Sequence, residues 1–148
     1  MKYKKQIAIC ILVAAVLIAG AVLFFWLDYQ HSIQENRDEM NAAVEEISGI
    51  VRDNADGLEK LCDHEMSIAR EGCDFEKQGE FQDMRNIIFN DLKFDSGKIY
   101  TDGEYILFFR PRGRDVIILK YQKEADTENS SSGYTAVCDH FTIIYSIT

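Results

Sequence analysis

An apolar run from Ile7 to Leu27 constrains this chain more than any other feature. It holds no charge and no proline. As a helix rising ~1.5 Å per residue, its 21 residues span about 32 Å, close to the ~30 Å hydrocarbon thickness of a bilayer. The run reads as a transmembrane helix, anchored from Ile7 to Leu27. It ends in an aromatic belt of Phe24, Phe25, Trp26 and Tyr29. The remainder of the chain is expected to be a tethered domain.

The flanks set the expected orientation. Lys2, Lys4 and Lys5 precede the run with no acid, whereas Asp28, Glu35, Asp38 and Glu39 come after it. Clustered Lys/Arg marks the cytoplasmic end. The expectation is a cytoplasmic tail at 1–6, a transmembrane helix at 7–27 and an extracytoplasmic domain at 28–148. A cleaved signal peptide is the rival, with Ala19-Gly20-Ala21 as its cleavage site. Cleavage at Ala21 would leave Val22–Leu27 as an exposed apolar terminus, so an uncleaved signal anchor is expected. A six-residue tail is too short for a kinase or a DNA-binding domain. Inward signalling would need a membrane partner. Cys10 is no lipoprotein site, because Ile9 before it is too large.

The chain carries −9, and removing the three N-terminal lysines leaves −12 on Asp28–Thr148. So acidic a domain argues against nucleic acid as a partner and against adsorption to anionic lipid.

Tyr29–Arg70 has helical periodicity: Ile33, Met40, Val44, Ile47, Val51, Leu58, Leu61 and Ile68 fill heptad a and d positions, except at Arg37, Asn54 and Glu65. Either this helix dimerises as a stalk, or it packs on the chain's own sheet. Gly49 and Gly57 weaken an isolated stalk by roughly 1 kcal/mol each, which favours packing on the sheet. Asp53–Gly57 is a potential break, with Asp56 capping a second helix. Gly72 is a candidate helix stop. The scheme is helix over 28–71, then helix plus sheet over 74–148.

Phe81, Met84, Ile88 and Leu92 share one helical face, which predicts a short helix near Gly79–Asn90. From Leu92 the texture is β. Turns at Phe94–Lys98 and Thr101–Glu104 separate strands at Ile99-Tyr100, Tyr105–Phe109, Val116–Tyr121 and Tyr134–Ile147. Both faces of Tyr105–Phe109 are apolar, as in a central strand. Arg110–Arg114 closes a hairpin, and Arg110, Arg112 and Arg114 form a candidate interaction tip. Lys123–Gly133 is a polar loop. The predicted fold is α+β: a transmembrane helix, a long juxtamembrane helix and a short second helix packed on a four- to five-stranded antiparallel sheet.

Chemistry is sparse. Cys-Asp-His occurs at Cys62–His64 and again at Cys138–His140. Residues i and i+2 of a helix diverge by about 200°, so Cys62 and His64 cannot share a zinc ion. No Gly-x-Ser-x-Gly, His-Glu-x-x-His or phosphate loop is present. Asp91–Glu104 fails as a calcium loop, with Lys93 and Ser96 where an acid and a glycine belong. Asn129-Ser130-Ser131 is a glycosylation sequon. No catalytic residue, metal or cofactor is expected. Cys62, Cys73 and Cys138 allow at most one internal disulfide, and a Cys138 bridge to one of the others is expected, against three reduced thiols. Cys62–Cys73 is disfavoured: an unbroken helix would part them by about 16 Å, beyond the ~7 Å limit.

The layout resembles type IV pilin-like proteins, especially minor pseudopilins. The similar stretches are Phe81–Leu92, Tyr105–Phe109, Val116–Tyr121 and Val137–Tyr145. The family's basic leader ending in Gly, with Glu five residues into the mature protein, has no counterpart, since no acid occurs before Asp28. The resemblance implies a non-enzymatic component of a cell-envelope, secretion or pilus-like assembly. Its partners would be the lipid bilayer and other membrane or envelope proteins, including itself through the juxtamembrane helix. The chain also resembles PAS-like extracytoplasmic sensor domains, which implies a ligand site. A buried polar pocket would favour the sensor, and a flat apolar face the assembly.

Overall fold

The computed structural model describes residues 2–124 and 133–146. The sequon at Asn129, most of the Lys123–Gly133 loop and Ile147 lie outside them. The protein is α+β and divides into two units, Met1–Glu39 and Met40–Thr148.

The described residues of the first unit are all helical, as part of helix α1 (Lys2–Asp53). Its apolar residues stay exposed: Ile7 is 59% exposed, Trp26 56% and Leu27 53%. No described residue buries them, unlike the core helix of a globular domain. Among the described residues this is the one helix long and apolar enough to cross a membrane.

In the second unit, α1 continues to Asp53 with Met40, Val44, Ile47 and Val51 buried. Asn54 breaks the helix. Its side-chain amide donates to Ile50 O (2.8 Å), an alternative to the helical ladder. Its carbonyl then accepts from Leu58 N (3.0 Å), starting helix α2 (Ala55–Ile68). The cap is therefore Asn54, and Asp56 sits in the first turn. Gly57 lets Met84 pack close, since a Cβ there would lie 2.5 Å from Met84 Sδ. Helix α2 buries Leu58, Leu61, Cys62 and Glu65. It stops at Ile68, which is exposed, not at Gly72. The stripe of Met40, Val44, Ile47, Val51, Leu58 and Leu61 is thus buried inside the domain.

Gly72, at φ 68°, turns the chain to run beside strand β1 (Ser96–Tyr100). Gly72 N donates to Ile99 O (2.9 Å), Ile99 N to Cys73 O (3.0 Å) and Phe75 N to Gly97 O (2.8 Å). This protects an otherwise open sheet edge. The expected second helix is shorter than Gly79–Asn90: α3 (Gln82–Asn86) runs into a π-helical turn at Ile87–Asp91. Ile88 and Leu92 are buried as expected. Phe81 is instead the exposed N-cap, its ring against His64.

The remaining strands are β2 (Tyr105–Arg112), β3 (Asp115–Gln122), β4 (Tyr134–Cys138) and β5 (Phe141–Ser146), in the antiparallel order β1-β2-β3-β5-β4. Strand β2, which holds the Tyr105–Phe109 segment, is interior, paired with β1 on one side and β3 on the other. The expected strand Tyr134–Ile147 is two strands, because Asp139-His140 forms a turn. Strand β1 starts at Ser96, inside the expected Phe94–Lys98 turn. Gly97 permits this: a Cβ there would meet Phe108 at 2.7 Å and Phe75 at 2.8 Å, whose rings pack edge to face.

One face of the sheet carries Ile99, Ile106, Phe108, Ile117, Leu119, Tyr121, Phe141 and Ile143. These form a single core with the buried residues of α1, α2 and the Ile88–Phe94 segment.

Candidate functional site

The second face of the sheet has a different character. Register places Lys98 beside Leu107 and Leu107 beside Lys120, then Phe109 beside Ile118 and Pro111 beside Val116. Tyr100 and Tyr105 stack at one end, with ring centroids 4.8 Å apart. Lys120 Nζ lies 6.0 Å from the Tyr105 centroid. Leu107, Phe109, Val116 and Ile118 are half-buried, yet none belongs to the core or packs against it. Side chains of adjacent strands shield one another, and no described helix covers them. The apolar character on both sides of β2 is thus explained on one side only.

This face is basic on an acidic domain. The residues it presents from β1, β2 and β3 include Lys98 and Lys120 and no acid. Beyond Pro111 and Val116 the hairpin tip adds the exposed Arg114, whereas Arg112 stands opposite the buried Asp115 on the same side as Arg110. Arg110 does not join that tip. Its guanidinium turns to the helix side, where it donates to Leu92 O (3.1 Å). Of the three arginines expected at the tip, Arg114 is exposed and Arg112 is half-buried.

A cleft of about 320 Å³ lies between α2 and the β1–β2 turn, lined by Asp63, Met66, Ser67, Thr101, Glu104 and Lys123. Each polar group in it has an intramolecular partner. Tyr121 donates to Asp63 (2.7 Å), Ser67 to His64 O (2.6 Å), and Thr101 to Glu71 (2.6 Å); Lys123 pairs with Glu104 at 3.4 Å. Burial, then the bond to Asp63, pushes the Tyr121 phenol well above its ordinary value. The Thr101 hydroxyl and Asp102 N–H hold the Glu71 carboxylate below its usual range. A ligand here would have to displace these bonds.

The thiols are free in the structure, so the Cys138 bridge expected from sequence is not formed. Cys73 lies outside β1 and Cys138 on β4, at opposite edges of the sheet. About five strand spacings of ~4.8 Å separate them, far beyond disulfide reach. Cys62 is fully buried. Its thiol is pushed well above the ordinary value, first by burial and then by Asp63, Glu65 and Glu59. Burial also raises Cys138.

The histidines are dispersed. His31 pairs with Glu35 (3.2 Å), His64 with Glu80 (3.4 Å), and His140 Nδ1 lies 3.1 Å from Gln122 O. Among the described residues no group of three or more His, Cys, Asp or Glu is placed to hold a metal ion. Sequence reasoning missed the buried Glu65–Arg85 pair. Its signal was Glu65 at a heptad core position. It also missed the second face of the sheet, whose signal was the doubly apolar β2. No protein-family model, no curated protein and no solved structure matches the chain.

Proposed function

We propose that this protein is a single-pass, membrane-anchored component of a cell-envelope, secretion or pilus-like assembly. In this reading the N-terminus is cytoplasmic, the Met40–Thr148 unit is extracytoplasmic, and binding, not catalysis, is its role. The observation that carries the reading is the apolar face of β1, β2 and β3, which no helix among the described residues covers. Apolar side chains gathered on one sheet face and rimmed by polar residues are the kind of surface that meets a partner. The exposed Ile7–Leu27 helix supplies the anchor.

The PAS-like sensor is the weaker reading, because the polar groups of the cleft at Asp63 already satisfy one another. The test is photo-crosslinking in intact membranes from a benzoylphenylalanine placed at Tyr29, in the first unit just past the apolar run. A defined crosslinked partner is expected. Recovery of uncrosslinked monomer alone would overturn the assembly reading.

A further inference from the structure

We infer that the open face of β1, β2 and β3 is the docking site for an acidic amphipathic helix of a partner protein; the inference rests on the assembly reading. Three features single out this occupant. The first is charge. The face presents Lys98 and Lys120 and no acid, and Arg114 lies beyond its far end, on a domain that is otherwise strongly acidic. Carboxylates flanking an apolar stripe would meet Lys98 and Arg114, which are both exposed.

The second is shape. Leu107, Phe109, Val116 and Ile118 form an apolar band along the two longest strands, with lysines at one end and the hairpin arginine at the other. A stripe at i, i+3, i+4 and i+7 spacing matches such a band. The third is size. Strands of five, eight and eight residues about 4.8 Å apart give a planar footprint of roughly 330 Å². A stable pair of folded domains needs about 800 Å² per partner, so the face suits one helix better than a second copy. A symmetric face-to-face pair would also set lysines against lysines. A bilayer surface with anionic headgroups is disfavoured by the −12 carried outside the apolar run.

The test uses the full chain in phosphatidylcholine nanodiscs and two labelled helical peptides. Each is about 18 residues, hence ~27 Å long, with the same leucine stripe; glutamates flank it in one and lysines in the other. The glutamate peptide is expected to bind at least about tenfold more tightly, with affinity falling as salt rises. Ile118→Asp should abolish binding, and Lys98→Glu with Lys120→Glu should invert the preference. Unchanged circular dichroism confirms that each variant folds, and Lys120→Ala alone gives a milder second reading. Equal binding of both peptides, or a preference that survives the charge reversal, overturns the inference. So does loss of peptide binding in nanodiscs containing phosphatidylglycerol, which assigns the face to lipid. A dimer that Ile118→Asp dissociates assigns it to a second copy. If the Tyr29 crosslink forms in the unsubstituted chain while neither peptide binds it, the assembly reading stands and this inference falls.

Discussion

Arg85 and Glu65, twenty residues apart in sequence, form a buried ion pair between α3 and α2. The arginine is 2% exposed and the glutamate 6%. Arg85 Nε also donates to Glu80 O (2.7 Å), a terminal nitrogen donates to Glu76 O, and the guanidinium lies 5.2 Å from the Phe75 ring centroid. One cation thus gathers the irregular 76–80 segment, α3 and α2 around itself. Its many donors explain why arginine, not lysine, stands there.

Glu65→Ala should be strongly destabilising, by about 3–5 kcal/mol, because it strands a buried guanidinium. The double variant Glu65→Leu with Arg85→Met should cost less than the single one. Urea unfolding of the full chain in detergent measures both. An exposed pair such as Lys123–Glu104, removed in parallel, should change stability by less than ~1 kcal/mol.

Tyr121→Phe removes the donor to Asp63 and should cost about 1–2 kcal/mol. The phenol also makes stability depend on alkaline pH. Its folded pKa is raised above the unfolded value of ~10, so the folded state holds the proton more tightly. Its contribution is complete below pH ~10 and is lost as pH rises beyond it. Tyr121→Phe should flatten that alkaline loss, as read from thermal unfolding at a series of pH values. An unchanged alkaline slope would contradict the assignment.

Cys62 should resist iodoacetamide at pH 8 in the folded protein and react on unfolding, because burial and neighbouring carboxylates keep it a thiol. Cys73, partly exposed, should react first. Mass mapping without reductant reads both, and a Cys62–Cys138 bridge in protein from its native compartment would refute the free-thiol state.

Gly97→Val should cost about 1–3 kcal/mol by forcing Phe108 and Phe75 apart. Near-ultraviolet circular dichroism should lose aromatic signal in proportion. Full retention of that signal would place the two rings elsewhere.

Local sequence alone determined the exposed Ile7–Leu27 helix, the α+β class, the Met40–Leu61 stripe and the β2–β3 hairpin. Each is written in residues close along the chain, as a hydropathy run, a helical period or an alternation with turn residues. The tertiary structure decided what depends on distant residues. It split Tyr134–Ile147 into two strands at Asp139-His140, since pairing with β3 and β4 sets where β5 begins. It turned Arg110 toward Leu92 and left Arg114 exposed at the tip. It kept Cys73 and Cys138 at opposite edges, because strand order is not encoded in cysteine spacing. Both faces of β2 read as apolar in sequence. Only the arrangement of helices on one side decided which face became core and which was left open.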